Sequence, residues 1–249
     1  MQQKEFYDRV YIKSLDIEEE AGKKAQDLTM QALPDIHGKR ILEVGCGTGS
    51  KFEFLIADND YYGIDIAEEA LARAKARGIK VVMRDVQKQL PFKDNFFDLV
   101  ICSEVFEHIL EPLDTLKECW RLLKDDGIFF CTVPNHFTIK NRLAMLLGKG
   151  IEGDMDFFRD RFPEWQYPHL RFFTWNGFRE FLKTGGFHIL KNYSYLLPHV
   201  PHLVSTKKIL GVELFMPVNK LFDLIVFEWL RRSYTASFCA SFWLQCRKD

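Results

Sequence analysis

Three glycines at alternate positions mark the part of the chain best suited to bind a ligand. Gly45, Gly47 and Gly49 follow the apolar run Arg40–Val44 and precede a stretch that begins at Ser50. Because glycine has no Cβ, such a loop lets the backbone approach a ligand closely at the end of a strand. The G-x-G-x-G spacing departs from the G-x-G-x-x-G of dinucleotide-binding loops, so it favours a ligand without a pyrophosphate.

Acidic residues stand where successive predicted strands end. Glu43 lies just before the glycines, Asp65 ends the second strand, Asp85 follows the third and Glu104 follows the fourth. In an open parallel sheet these strand ends meet at one edge, where ligands bind. Carboxylates there can accept the hydroxyls of a ribose and the amine of an adenine. With no Lys or Arg at the strand ends, this edge favours a cationic, phosphate-free nucleoside such as S-adenosylmethionine.

The stretch E-x-x-E-H adds a second chemical feature. Glu104, Glu107 and His108 stand at i, i+3 and i+4, which places all three on one face if a helical turn follows the strand. One interpretation is a divalent-metal site with His169 as the fourth ligand; the other is that Glu104 flanks the cleft, Glu107 is solvated and His108 packs. The candidates for a general base are His108, His136 and His169, with Glu104 and Glu107 nearby in the sequence.

Short β-branched or aromatic runs alternate with amphipathic stretches along the chain. This alternation predicts a parallel sheet covered by helices on both faces, and the sheet would position these residues. The predicted strands are Arg40–Val44, Tyr61–Asp65, Lys80–Arg84, Phe97–Cys102, Gly127–Val133, Phe187–Tyr195 and Ala236–Cys246. The predicted helices are Ala67–Arg77, Pro112–Lys124, one capped by Thr174 and ended by Gly185, and Val218–Arg231.

We expect a single domain over 1–249. Its predicted parts are an N-terminal helical cap (1–36), a ligand-binding core (37–133), a lid insertion (134–173) and a C-terminal half (174–249) that contains a helical insertion (198–235). The lid carries Pro, Gly, charged and aromatic residues without clear periodicity, and such insertions often contact ligands.

Composition excludes several classes. The 249 residues carry a formal charge of −1, so no global charge favours a polyanion, and 47% hydrophobic residues exclude disorder. Six cysteines without a C-x-x-C pair predict reduced, buried thiols; they are Cys46, Cys102, Cys119, Cys131, Cys239 and Cys246. The charged N-terminal twenty residues do not resemble a signal peptide, so we expect a cytoplasmic protein.

Four ordered motifs resemble those of the class I S-adenosylmethionine-dependent methyltransferases: E-V-G-C-G-T-G, Y-G-I-D-I-A, R-D-V and F-D-L-V-I-C-S-E-V-F-E-H-I. The resemblance implies an α/β, Rossmann-like, seven-stranded, mostly parallel sheet whose antiparallel last strand lies between the fifth and sixth. It also implies S-adenosylmethionine as cofactor. The cofactor-binding residues implied are Glu43, Gly45, Cys46, Gly47, Gly49, Asp65, Ile66, Asp85, Val86 and Ser103, and the catalytic candidates are His108, His169 and Glu104.

The function that this resemblance implies is methyl transfer to a small molecule, on a hydroxyl. The E-x-x-E-H stretch also looks like that of quinone-type O-methyltransferases and of enzymes that methylate RNA 2′-hydroxyls with a metal. Further alternatives are a non-catalytic cofactor-binding module and a nicotinamide-dependent oxidoreductase, which the glycine spacing disfavours.

The expected partners follow from the aromatic residues and the charge. Aromatic density over 157–187 favours an apolar, planar or lipid-like acceptor, or alternatively a packed lid. The near-neutral charge disfavours nucleic acid. The interrupted apolar helix Val218–Arg231 is not a membrane span, but it could dock on a membrane surface or a second copy of a homodimer if the protein is not a monomer.

Overall fold

A seven-stranded sheet organises the chain in the computed structural model, which describes residues 15–16, 19–23, 25–148, 169–194, 239 and 241–249. The strand order is β3-β2-β1-β4-β5-β7-β6. The strands are β1 (Arg40–Val44), β2 (Asp60–Asp65), β3 (Lys80–Met83), β4 (Phe97–Ser103), β5 (Leu123–Pro134), β6 (Phe187–Asn192) and β7 (Ser241–Lys248).

Helices connect the strands. They are α1 (Glu68–Ala76), α2 (Pro112–Leu122), α3 (Ile139–Leu146) and α4 (Trp175–Thr184), with 3₁₀ turns at Glu53–Leu55 and Phe106–His108. Residues 19–23 and 25–32 are also helical. Strong helix formers, acidic residues in the first turn and basic residues in the last explain α1, and a proline in its first turn opens α2.

The pairing directions confirm the predicted architecture. β1 pairs in parallel with β2 and β4, and the parallel pairing continues to β3 and β5. β7 runs antiparallel between β5 and β6. The fold class is therefore a Rossmann-like α/β sheet with an antiparallel last strand.

Strand β5 begins four residues before the predicted Gly127, and α2 ends at Leu122 rather than Lys124. Leu123 is fully buried and extended, and it pairs with Phe97, while the next pair is Leu99 with Ile128. Because Leu123 is buried and pairs in the sheet, β5 begins at this residue and not at Gly127. The exposed Asp125 and its neighbours form an irregularity in the register.

Each face of the sheet carries its own core. Leu42 and Val44 pack into one apolar cluster and Ile41 into the other, because successive side chains of β1 point to opposite faces. All six cysteines are buried, as predicted, and each carries a thiol rather than a disulfide. No helix among the described residues is long and apolar enough to cross a membrane.

Several predicted segments lie outside the described residues. These are the helix Val218–Arg231, all of the insertion 198–235, half of the lid 134–173 (residues 149–168) and the first fourteen residues. The domain boundaries stay a prediction.

Candidate active site at the carboxyl edge of the sheet

The glycine loop turns directly off the end of β1. The amide groups of Gly45 and Cys46 both donate to the carbonyl of Ile64 in β2, at 2.8 and 2.9 Å. Gly45 has a left-handed backbone with φ +70°, and a Cβ there would lie 2.4 Å from a methyl group of Val105. Glycine is therefore required by the backbone conformation and by the contact with the chain that follows β4.

The other loop residues show what the loop packs against. Gly49 has φ +73°, and a Cβ would lie 2.3 Å from Cδ1 of Ile79. The side chain of Cys46 is buried in the core cluster beneath the loop. Cys46 was predicted to bind the cofactor; any such contact must come from its backbone.

Asp65 holds the loop to the end of β2. Its carboxylate accepts hydrogen bonds from the amides of Gly47 (2.9 Å), Ile66 (2.7 Å) and Ala67 (2.9 Å). Burial raises the pKa of Asp65, while these three hydrogen bonds act to lower it. Asp65 therefore fixes the glycine loop to β2, in addition to its predicted contact with a ribose.

Glu43 is paired with a tyrosine that the sequence reasoning missed. The hydroxyl of Tyr61 donates to Oε2 of Glu43 at 2.8 Å, and both side chains are buried. Burial raises the pKa of Tyr61 well above its ordinary value, and the nearby Glu43 acts in the same direction. The phenol therefore stays a donor that orients the carboxylate. Gly63 of β2 pairs with Glu43, and Tyr61 stands two residues before Gly63. This spacing was the signal available in the sequence.

The turn after β3 carries the predicted adenine site. Oδ1 of Asp85 accepts from the amide of Gln87 at 2.9 Å, and the carboxylate is half-buried. The carbonyl of Val86 accepts from the hydroxyl of Thr115 at 3.2 Å, which ties this turn to α2.

A lysine corrects the expectation that the strand ends carry no cation. Nζ of Lys51 donates to Oγ of Ser103, the last residue of β4, at 2.7 Å. Burial lowers the pKa of Lys51, whereas Glu104, Glu43 and Glu107 act to raise it. The edge is therefore mixed in charge, with acidic groups around one ammonium.

The structure also corrects the expected helical face of the E-x-x-E-H stretch. Only Phe106–His108 forms a turn, of 3₁₀ type, and Glu104 precedes it with a left-handed backbone of φ +56°. Such a conformation costs a non-glycine residue about 1–3 kcal/mol. Oε1 of Glu104 accepts from the hydroxyl of Thr132 at 2.6 Å.

Glu107, His108 and His169 nevertheless come together. One ligand atom of each lies within 4.8 Å of the others. Glu107 is fully buried, not solvated, and its carbonyl accepts from the amides of Leu170 (2.6 Å) and Arg171 (3.1 Å). These bonds explain how a residue sixty positions later reaches the turn.

His136 completes this cluster. Its Nε2 lies 2.8 Å from Nδ1 of His169, and His169 in turn stacks edge-on to His108 with ring centroids 4.6 Å apart. Burial, and then the neighbouring imidazoles, lower the pKa of His136 to about 4 and that of His169 to about 2. Both imidazoles are therefore neutral near pH 7, and His169 is a weak base.

The segment after His169 divides between exposed and packed residues. Arg171 donates to the carbonyls of Leu110 (2.6 Å) and Leu170 (3.1 Å) rather than to an acidic side chain. Phe172 and Leu170 are 42% and 43% exposed beside the imidazoles. The aromatic residues Phe173, Trp175, Phe178, Phe181 and Phe187 pack in or against the core.

Part of the chain is similar to known proteins. Residues 42–131 match the family model described as a methyltransferase domain. The ubiquinone biosynthesis O-methyltransferase of Actinobacillus pleuropneumoniae is 32% identical over 133 residues, which cover 49% of this chain and 56% of that protein. The chain spans about half the length of the curated relatives that it matches.

Solved structures resemble the whole chain. A SAM-dependent methyltransferase from Thermotoga maritima superposes with a TM-score of 0.64 at 18% identity, over 98% of this chain and 99% of the other. The [4+2]-cyclase SpnF superposes with a TM-score of 0.55 at 20% identity, over 91% and 81%. At these identities the likeness concerns the fold, and a cyclase among the neighbours shows that the fold serves more than one reaction.

Proposed function

We propose that this chain is a class I S-adenosylmethionine-dependent methyltransferase that transfers a methyl group from S-adenosylmethionine to a hydroxyl of a small molecule. The observation that carries the proposal is a juxtaposition. The glycine loop contacts Val105, and Lys51, which follows the loop, bonds to Ser103, so the predicted cofactor site adjoins Glu104, which lies between these two residues.

The cofactor would lie along the strand ends. Gly45 and its loop would face the methionine portion, Asp65 the ribose, and Asp85 the adenine. The support is that these groups share the carboxyl edge of the sheet and that the half-buried Asp85 remains accessible.

The reaction needs little covalent chemistry from the protein. The bond between the sulfonium sulfur and the methyl carbon breaks, a bond from the acceptor oxygen to that carbon forms, and the hydroxyl proton goes to a base. We assign Glu104 as the base, because the neutral His169 with a pKa of about 2 binds a proton weakly. His108 and His169 would orient the acceptor.

The residues around the cluster favour an apolar acceptor. Leu170 and Phe172 expose their side chains next to His169 and His136, where they could cover an aromatic or aliphatic group. A net charge of −1 does not favour an RNA acceptor. The six reduced thiols fit a reducing compartment such as the cytoplasm.

A divalent metal is a second proposal for the same cluster. Glu107, His108 and His169 would hold it, since one ligand atom of each lies within 4.8 Å of the others. One carboxylate and two imidazoles suit zinc and neighbouring transition metals. A bound metal would lower the pKa of the acceptor hydroxyl. Glu104, whose carboxylate accepts from Thr132, is not among the three residues of this group.

Calorimetry with S-adenosylhomocysteine tests the cofactor assignment. We expect the wild type to bind it and Asp85→Asn to raise Kd about tenfold, since a charge-assisted hydrogen bond contributes about 1.5 kcal/mol or more. Asp58→Asn is the matched control, because Asp58 pairs with His37 near the start of β2. Absence of heat with the wild type, or stabilisation by NAD instead, would contradict the proposal.

The acceptor is found by incubating the protein with labelled S-adenosylmethionine and metabolite pools, with and without a chelator. Label in a small hydroxylated molecule supports methyl transfer to oxygen, and its loss with chelator supports the metal. Cofactor binding without label in any pool favours the non-catalytic alternative.

A further inference from the structure

Four side chains form a continuous hydrogen-bonded series under the cleft. Nζ of Lys51 lies 2.7 Å from Oγ of Ser103, which lies 2.8 Å from Oγ1 of Thr132, which lies 2.6 Å from Oε1 of Glu104. We refer to these four residues as the Lys51–Glu104 series. It links the glycine loop to the proposed base.

Each member is placed by a different part of the fold. Lys51 follows the glycine loop, Ser103 ends β4, and Thr132 pairs directly with Ser103 from β5. Trp243 of β7 pairs with Thr132 from the other side, and its ring lies 5.1 Å from Nζ of Lys51. The ammonium is therefore confined between the loop, two parallel strands and an aromatic ring.

The residues at the two ends of the series determine which group donates in each of its hydrogen bonds. An ammonium only donates, so Ser103 must accept from Lys51, and its own proton is then available for Thr132. A carboxylate only accepts, so the proton of Thr132 points to Glu104. An ammonium at one end and a carboxylate at the other thus stabilise one orientation of both hydroxyls.

Glu104 is held twice by the same neighbour. Its amide donates to the carbonyl of Thr132 at 3.0 Å, and its carboxylate accepts from the hydroxyl of that residue. These two bonds retain a residue whose φ of +56° is otherwise unfavourable. A strained residue held in this way at a cleft is well suited to positional precision.

We propose that Lys51 is a positioning residue that, through Ser103 and Thr132, holds the carboxyl group of Glu104 in the orientation that faces the methyl-accepting hydroxyl. The assignment rests on the proposed methyl transfer. The other charged groups that act on Lys51 are Glu43 and Glu107, so no second cation among the groups recorded around it would replace its charge.

Substitutions along the series test the proposal. Lys51→Met removes the charge at similar length, and Thr132→Val removes the connecting hydroxyl. We expect either change to lower kcat about tenfold or more, with Kd for S-adenosylhomocysteine within about twofold of the wild type. Lys51→Arg and Thr132→Ser, which keep the donor, should retain more of kcat than Lys51→Met and Thr132→Val.

Lys248→Met is the matched control. Lys248 is also buried, and its Nζ lies 4.2 Å from the ring of Trp120 and donates to Asn95. Lys248 differs from Lys51 in position, since it is the last residue of β7. It should lower stability without changing kcat. A loss of kcat in this variant equal to that of Lys51→Met would mean that general destabilisation explains both, which overturns the proposal.

Two further outcomes overturn it. A tenfold rise in Kd for S-adenosylhomocysteine with kcat unchanged at saturating cofactor would show that Lys51 serves the cofactor carboxylate. No change in kcat or Kd would show that the series has no role in the reaction.

A spectroscopic measurement keeps this test separate from the proposed function. The infrared difference between wild type and Glu104→Gln at pH 7.5 should show the bands of the Glu104 carboxyl group, and the same difference in the Lys51→Met background should show these bands shifted, because the series no longer ends in an ammonium. Identical difference spectra in both backgrounds overturn the proposal, whether or not the protein methylates anything. Failure of cofactor binding by the wild type would overturn the methyltransferase assignment instead.

Discussion

Single residues at the strand ends differ in how far their partners could be predicted. The positions of Asp65 and Asp85 followed from where the strands end, and the structure places both at the carboxyl edge. Lys51 was missed because its partner Ser103 is 52 residues away, and no local pattern reports that contact. A long side chain can bring charge to an edge from the next element along the chain.

The glycine loop yields a prediction at this scale. Gly49→Ala should lower the free energy of unfolding by about 2–4 kcal/mol, because the new Cβ meets Ile79 and the backbone is left-handed. Gly38→Ala is the control: φ is +64° but nothing lies within 4 Å, so only the backbone term of about 1 kcal/mol remains. Urea unfolding measures both; equal losses would show that contact with Ile79 contributes nothing.

At the scale of elements, the residues that follow β4 form a short turn instead of a helix. The left-handed Glu104 cannot continue into a helix, and Ile109 is extended before Pro112 opens α2. The resulting 3₁₀ turn separates Glu104 from Glu107 and His108. The spacing brought Glu107 and His108 together, but the helical face that they were expected to share with Glu104 was wrong.

The N-terminus of α4 carries a prediction about an element. Oγ1 of Thr174 accepts from the amide of Gly177 at 3.0 Å, so Thr174→Ala should lower the free energy of unfolding by about 1 kcal/mol. Thr184→Ala at the other end of the helix should lower it by less than about 0.5 kcal/mol, because its hydroxyl bonds only to an internal carbonyl, that of Glu180. Thermal unfolding of the two variants gives the comparison, and an equal loss would rule out the cap as the cause.

At the scale of the whole molecule, the imidazole cluster joins three distant segments. His108 comes from the turn after β4, His136 from the end of β5, and His169 from the segment before α4. The antiparallel β7 likewise places Trp243 against Thr132 over more than a hundred residues. Such contacts exist only once the sheet is assembled.

The buried imidazoles predict how global stability depends on pH. Below about pH 6.5 the unfolded chain protonates both imidazoles, whereas folded His136 and His169 stay neutral to about pH 4 and 2. The unfolded state then binds more protons, so the free energy of unfolding should fall as the pH falls, by up to about 1.4 kcal/mol per pH unit for each imidazole.

Urea titrations at pH 7.5, 6 and 5 in the presence of a chelator measure this slope. His136→Asn should make the slope shallower, because it removes one of the two buried imidazoles. A free energy of unfolding that stays constant from pH 7.5 to 5 would contradict the assignment of neutral, buried imidazoles.

The sequence by itself determined the strands, most helix bounds, the glycine loop and the acidic strand ends, because periodicity, glycine spacing and helix composition are local properties of the chain. Only the tertiary structure decided that Lys51 reaches Ser103, that Tyr61 orients Glu43, and that three histidines meet beside Glu107. These contacts depend on strand register and on side-chain direction. Both are set by packing between segments that lie far apart in the chain.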